Sequence, residues 1–389
     1  MLHIVEKDIE VAFPQGHHLH ALLCQIPNRI ERSDRGFRIA DPDQQWARIE
    51  SIFELVGTGS GNLKKLHFLL FPESSLPADR IDDLLRLAET KLHPNTVTII
   101  GVEHIRLADY LRLLERFQAD NEEALASVRT DQEAGEIEQI PVNCCLIICK
   151  EESGRLRIFL EAKSHPFVGE ENLDPFHDLY RGKVFPLLRC HPTCYNFMAL
   201  ICLDYIYRDL YRSNISNIID HANRLFHETR QRLDLLAVIQ CNPKPEHAAF
   251  RDVINGFYGE YLEYTPGVRD TITLFCNASG ETACEGLERA GSFGHSSAVI
   301  HKRHKLEKVD LPEFSSDDFG GLPICRLRFG QDSRLFFFNL PVFHELDPRT
   351  TRAPLKIHSI FQQLADDRWT RIESDAFSWP STESRAGSN

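Results

Sequence analysis

Short, dense apolar blocks recur along the chain, separated by polar stretches or by glycine and proline. Blocks with a period of two, or continuously apolar over four to eight residues, predict strands. They fall at 8–12, 20–26, 66–71, 96–102, 142–149, 156–161, 183–188, 197–201, 235–240, 271–276, 296–301, 324–328 and 334–340. Helical spacing appears between them. Trp46, Ile49, Ile52, Phe53 and Val56 lie on one face of a predicted helix over 45–56. Further helices are predicted over 79–91, 217–232 and 247–262, with a helix start in the polar run 205–212. Leu107, Tyr110, Leu111, Leu114 and Phe117 form another amphipathic stripe, followed by an acidic run to about Glu138. The segment 107–140 therefore reads as an ordinary solvated helix and loop. The alternative is an insertion packed on the surface or against a partner.

Strands alternating with helices predict an α/β fold, and 389 residues suffice for one large domain or two ordinary ones. No internal repeat or low-complexity tract interrupts residues 1–345. Beyond about Leu346 the composition shifts. Pro348 and Pro354 break regularity, 355–365 fits one short helix, and the last ten residues are small and polar, a pattern expected to be disordered. The expected organisation is one domain over 1–345 and a C-terminal extension over 346–389.

A net charge of -13 speaks against general nucleic-acid binding, which needs a basic face. No apolar run approaches the roughly 20 residues that span a bilayer. The N-terminal sequence lacks the basic-then-apolar pattern of a signal peptide. Eleven cysteines, an odd number in a long chain, suggest mostly free thiols and a soluble, cytoplasmic protein.

Candidate chemistry sits at strand ends. Cys202 follows the apolar run Phe197 to Ile201, with Leu203 and Asp204 next. A thiol at a strand-to-helix turn is exposed to reagents, and nearby N–H groups lower its pKa or bind an oxyanion. The plainer reading is a buried structural cysteine. Glu73 lies just past the strand 66–71, where α/β sheets keep their sites, although a helix N-cap acid reads equally well. Lys163 follows the strand 156–161, with Glu170 and Glu171 seven and eight residues on. His17, His18 and His20 surround the first predicted turn, where a solvated turn is favoured over a metal cluster. Cys190 and Cys194 have a spacing zinc tolerates, but His301 and His304 are more than a hundred residues away. The basic run 301–305 reads as a solvated strand end, with anion binding as a minor option. The glycine-rich stretch 57–62 lacks the Gly-Lys-Ser/Thr ending of a phosphate loop.

Taken in order, these features resemble the nitrilase superfamily of carbon–nitrogen hydrolases, over roughly residues 18–345. Ala21-Leu-Leu-Cys-Gln25 is similar to its opening strand, Phe71-Pro-Glu73 to its glutamate motif and Lys163-Ser-His165 to its lysine motif. Ile201-Cys202-Leu-Asp204, with an acid again at Asp209, is similar to its cysteine motif. Ile99-Ile-Gly-Val102, Val142-Asn143, Cys276-Asn277 and Gly294-His-Ser296 fit the intervening and closing strands. Leu203 replaces the usual aromatic residue, Tyr207-Arg208 the usual Phe-Pro, and Pro166 a common apolar position, departures that suggest a divergent branch.

The resemblance implies a four-layer α-β-β-α sandwich. It also implies a homodimer or higher homo-oligomer, and a tail beyond 345 that crosses the partner. It implies hydrolysis of a non-peptide C–N bond, an amide first and a nitrile second, with no cofactor or metal. Cys202 would be the nucleophile, Glu73 the general base, and Lys163 the oxyanion holder together with the Leu203 N–H. Glu171, or alternatively Glu170, would be the second glutamate. His165, Tyr205 and Asn242 join Leu203 as expected substrate contacts. Two rivals stay open. One is a ligand-sensing scaffold that reaches a protein partner through 107–140 or the extension. The other is acyl transfer to an amine.

Overall fold

The structure is a computed structural model. It describes residues 3–13, 18–34, 36–135, 139–167, 170, 179–208, 213–261, 264–287, 293–301, 311–318, 324–342, 355–364 and 368–372. The chain begins with β1 (His3–Ile9), β2 (His18–Gln25), β3 (Arg29–Ser33), β4 (Gly36–Ile39), α1 (Pro42–Thr58) and β5 (Phe68–Leu70). Next come α2 (Ile81–Lys91), β6 (Thr96–Arg106), α3 (Leu107–Arg116), α4 (Gln118–Glu133), β7 (Pro141–Lys150) and β8 (Leu156–Ala162). The middle holds β9 (Val184–Cys190), β10 (Tyr195–Ile201), α5 (Asn214–Thr229), β11 (Leu235–Gln240), α6 (Ala248–Gly256) and β12 (Ile272–Asn277). The last elements are β13 (Ala283–Cys284), β14 (Ser297–His301), β15 (Phe314–Asp318), β16 (Ile324–Phe329), β17 (Arg334–Pro341), β18 (Ile357–Gln363) and β19 (Trp369–Arg371).

The fold is mixed α/β. One eight-stranded sheet has the order β1-β9-β10-β11-β12-β14-β16-β15 and the other β19-β18-β17-β2-β5-β6-β7-β8. A small third sheet, β13-β3-β4, stands apart. Strand parity explains how the large sheets share a core. In β2, β5, β7 and β17, Leu23, Leu70, Cys145, Ile147, Phe336 and Phe338 face the first sheet. Their neighbours Leu22, Leu69, Cys144, Leu146 and Phe337 face α1, α2 and α3 instead. Alternate residues of a strand point to opposite faces, so both faces of this sheet are apolar. Phe68 meets Phe197 edge to face at 5.3 Å across the two sheets, and Phe329 stacks on Phe336 at 4.1 Å. Each such side chain contributes about 1.5–3 kcal/mol by leaving water.

Several expectations change. The first strand is 3–9, not 8–12. It pairs in parallel with β9 from His3–Val184 to Ile9–Cys190, and its half-exposed edge position hides its apolar alternation. Residues 107–133 are two helices packed on the sheet, not a solvated helix and loop. Tyr110, Leu114, Leu125 and Val128 are buried against the sheet. The Asp120 carboxylate and the Asn121 side-chain oxygen each accept, at 2.8 Å, from the backbone N–H of Ile158 and Leu160 in the edge strand β8. Polar side chains thus cap an edge that would otherwise recruit another strand. The helix expected over 355–365 is strand β18, antiparallel to β17, with Ile357, Ile360 and Phe361 buried. Pairing with β17's open side outweighs local spacing.

Among the described residues, no α-helix starts directly after Cys202; residues 209–212 of the expected helix start lie outside them. A single 3-10 turn over Cys202–Tyr205 intervenes, and α5 begins at Asn214, capped by Ser213, whose hydroxyl accepts from Ser216 N–H at 2.9 Å. His20 lies inside β2, not at a turn. It is buried and stacked on Phe337 and His67. Cys190 is buried and Cys194 exposed at the β9–β10 turn. No metal-binding group of three or more side chains occurs among the described residues. No helix among them is long and apolar enough to cross a membrane. His17, His304, most of the basic run 301–305, Asp209 and the last ten residues lie outside the described residues.

Candidate active site

Parity also aims the polar side chains. On β7, Asn143 continues the row of Cys145 and Ile147, and Lys163, just past β8, continues the row of Phe159 and Glu161. Both rows face the first sheet. There the fully buried Lys163 Nζ donates to Glu73 Oε1 and to Glu170 Oε2, each at 2.8 Å. Asn143 Nδ2 donates to the same pair, at 2.8 Å to Glu73 Oε1 and 2.7 Å to Glu170 Oε1. Glu73 Oε2 accepts from the Cys241 backbone N–H at 2.9 Å, just past β11.

The turn that carries Glu73 crosses β6 at Gly101. A Cβ there would stand 2.5 Å from Glu73 Cα, so glycine is required for the close approach. Asn28 Nδ2 fixes the Glu73 carbonyl at 2.8 Å, and Gln45 Nε2 holds Asn28 in turn at 3.0 Å. Gly182 N–H bonds the Lys163 carbonyl at 2.9 Å, where a Cβ would run into Ala162.

Cys202 follows β10 with φ 47°, in the left-handed region that favours glycine. Such strain is found where a side chain must be aimed. Its thiol is buried, and burial, with Glu73 beside it, pushes the thiol pKa well up; Lys163 only partly offsets this. The resting sulfur is therefore a protonated thiol. Burial opposes the Lys163 ammonium too, but Glu170 and Glu73 outweigh it and hold the ammonium well above its ordinary range. Glu170 is held low despite burial, by Lys163 and by His104. His104 Nδ1 accepts from the Phe37 N–H at 3.1 Å, so Nε2 carries the proton and faces Glu170 Oε1 at 3.2 Å.

Asp204 ties the cysteine turn to the lysine loop. Fully buried, it accepts from Ser164 N–H at 3.0 Å, Ser164 Oγ at 2.7 Å and His165 N–H at 2.9 Å.

Glu73, Lys163 and Cys202, expected from sequence, thus meet in one buried cluster. The second glutamate in contact is Glu170; Glu171 lies outside the described residues. Leu203 and His165 are half-buried beside the cluster, and His165 stacks on Tyr207. Tyr205, expected to bind substrate, is a core residue instead, fully buried and edge-on to Phe275. Its place in the 3-10 turn points it into the first sheet's packing. Asn242 follows Cys241. Asn277 accepts from its N–H at 2.8 Å and donates to its carbonyl at 2.9 Å, and the Asn242 Nδ2 has no partner among the described residues.

Sequence reasoning missed Asn143 and His104 as site residues, because strand residues in an apolar row read as core. It also missed Glu161, fully buried two residues before Lys163. Neither Glu161 carboxyl oxygen has a partner among the described residues. Burial, then Asp204, pushes its pKa well up, so it is a neutral acid.

No protein-family model and no curated protein matches this sequence.

Proposed function

We propose that the chain is a thiol-dependent hydrolase of non-peptide C–N bonds, built as the helix–sheet–sheet–helix sandwich of the nitrilase type. Amides are its principal substrates and nitriles the alternative. The observation that carries this reading is the fully buried Lys163 ammonium, bonded at once to Glu73 and Glu170 in the cluster that holds Cys202.

Each group then has a task. The Cys202 thiol is protonated at rest, so attack requires a base, and Glu73 takes the proton as Sγ bonds the substrate carbon. The carbonyl oxygen gains charge and is held by Lys163 and the Leu203 N–H. Glu73 returns the proton to the departing amine, which leaves an acyl group on Cys202. Water then attacks that carbon, deprotonated by Glu73, and releases the acid and the free thiol. Glu170, Asn143 and His104 hold the Glu73–Lys163 pair in place, and Asp204 holds the lysine loop on the cysteine turn. The unpartnered Asn242 amide nitrogen is a donor for the substrate.

A ligand-sensing scaffold is the second reading, favoured by the burial of Cys202, 6% exposed. Ammonia release from a panel of primary amides and nitriles distinguishes the two. Turnover lost in Cys202→Ala supports the hydrolase, and no turnover of any member by the parent chain refutes it.

A further inference from the structure

A third apolar cluster, separate from the two large cores, adjoins the site. Its buried members are Ile30, Phe37, Ala278, Cys284 and Phe293, with Phe167, Cys241 and Leu287 partly buried and packed against them. Ile30 comes from β3, Phe37 from β4 and Cys284 from β13, so the small third sheet supplies part of this wall.

The wall touches the candidate catalytic groups at three points. The Lys163 Nζ lies 5.4 Å from the Phe167 ring centroid. Phe167 stacks on Phe37 at 5.9 Å, and Phe37 donates its backbone N–H to His104, which faces Glu170. Cys241 gives its backbone N–H to Glu73, while its thiol stays in the apolar cluster. No member of the wall is charged. Lys163 already gives N–H groups to two carboxyl groups and its remaining one to the oxyanion in the proposed reaction, and the Arg32 guanidinium, 5.9 Å from the Phe37 ring, is exposed.

We propose that this wall receives the acyl portion of the substrate, and that the substrates are amides of neutral, apolar acids, not of acids bearing a second carboxylate. The inference rests on the hydrolase reading of the same site. A half-buried aromatic ring and a thiol beside a desolvated lysine favour alkyl surface. A charged acyl chain would lose its hydration among these apolar side chains, none of which offers it a charged partner.

The test is acylation of the full chain by the 4-nitrophenyl esters of acetate, hexanoate and hemisuccinate, followed by intact mass. In this step Sγ bonds the ester carbonyl carbon, the carbon–oxygen bond to nitrophenol breaks, and the thiol proton leaves by way of Glu73 to the solvent or the phenolate. The adduct counted is the one absent from Cys202→Ala, since Cys194 is exposed. Hexanoyl should add at least about tenfold faster than acetyl, as one methylene in an apolar pocket is already worth about tenfold or more. Hemisuccinyl should be slower than acetyl. Cys241→Asp should lower the hexanoyl-to-acetyl ratio about tenfold, and Phe167→Ala should lower it too if the first variant does not fold. Equal rates for the three esters, or a faster hemisuccinate, would overturn the apolar assignment while leaving the nucleophile in place. Absence of any Cys202 adduct would overturn both.

Discussion

The Asp204 carboxylate accepts the Ser164 hydroxyl at 2.7 Å and the Ser164 backbone N–H at 3.0 Å, forty residues away in sequence. This contact fixes Lys163, the residue before Ser164, against Cys202, two residues before Asp204. In Asp204→Ala, the Ser164 and His165 backbone N–H groups lose their acceptor, while the Ser164 hydroxyl keeps His165 Nδ1 at 2.6 Å. At about 1–3 kcal/mol per unsatisfied group, the loss should be on the order of 3 kcal/mol. Urea unfolding checks it, and an unchanged midpoint would show that the two loops hold their positions independently.

The second prediction separates the two charges beside Cys202. Burial comes first in pushing the thiol up, and Glu73 adds to it. A negative neighbour disfavours the thiolate, so Glu73→Gln should lower the thiol pKa. The pH profile of Cys202 alkylation by iodoacetamide should move to lower pH. Turnover should nevertheless fall about 10²- to 10⁴-fold, because the general base is gone. An alkylation profile moved to higher pH would contradict this electrostatic picture.

Glu161 makes a prediction about pH and stability. Its folded pKa is raised by burial and by Asp204, so the folded state keeps a proton that the unfolded chain releases above about 4.5. As pH rises through that value the unfolded state gains, so Glu161 costs stability at neutral pH and little at pH 4. Glu161→Gln should therefore raise the melting temperature at pH 7, with the gain vanishing near pH 4. A loss of stability at pH 7 would mean that the acid is paired in solution.

The C-terminal strands supply the fourth. Leu355, Ile357, Ile360 and Phe361 are buried against β17 and its neighbours. At about 1.5–3 kcal/mol each, they contribute a large share of a marginal stability. A chain ending at Val342 should melt at a much lower temperature or aggregate through the opened β17 edge. A soluble truncated chain with an unchanged melting temperature would make this strand dispensable.

The legible parts of the site share one property. Glu73, Lys163 and Cys202 each follow a dense apolar strand, and strand ends are visible in sequence. The choice between Glu170 and Glu171 was not, because adjacent loop residues carry no periodicity to say which one faces inward. Asn143 and His104 sit within β7 and β6, where apolar neighbours make them read as core. Cys241 contributes a backbone N–H, which every residue except proline has, so no side-chain pattern marks it. Strand β18 was hidden because Leu355, Ile357, Ile360 and Phe361 fit a loose helical spacing, and its partner β17 is decided by long-range pairing. The stripe from Leu107 to Phe117 marks α3, but α4 was hidden by the acidic run, two members of which, Asp120 and Asp131, are buried and paired with Arg157, Tyr180 and Lys183.

The covalent intermediate tests the central claim most directly. The full chain should be incubated with primary amides, rapidly acid-quenched, and weighed intact, alongside Cys202→Ala and Lys163→Ala. The parent should gain the mass of one acyl group on Cys202, while Cys202→Ala gains none. Lys163→Ala, if folded, should acylate about 10²- to 10³-fold more slowly, the effect of removing one oxyanion donor. An acyl group found on another residue, or steady amide turnover by Cys202→Ala, would contradict the account.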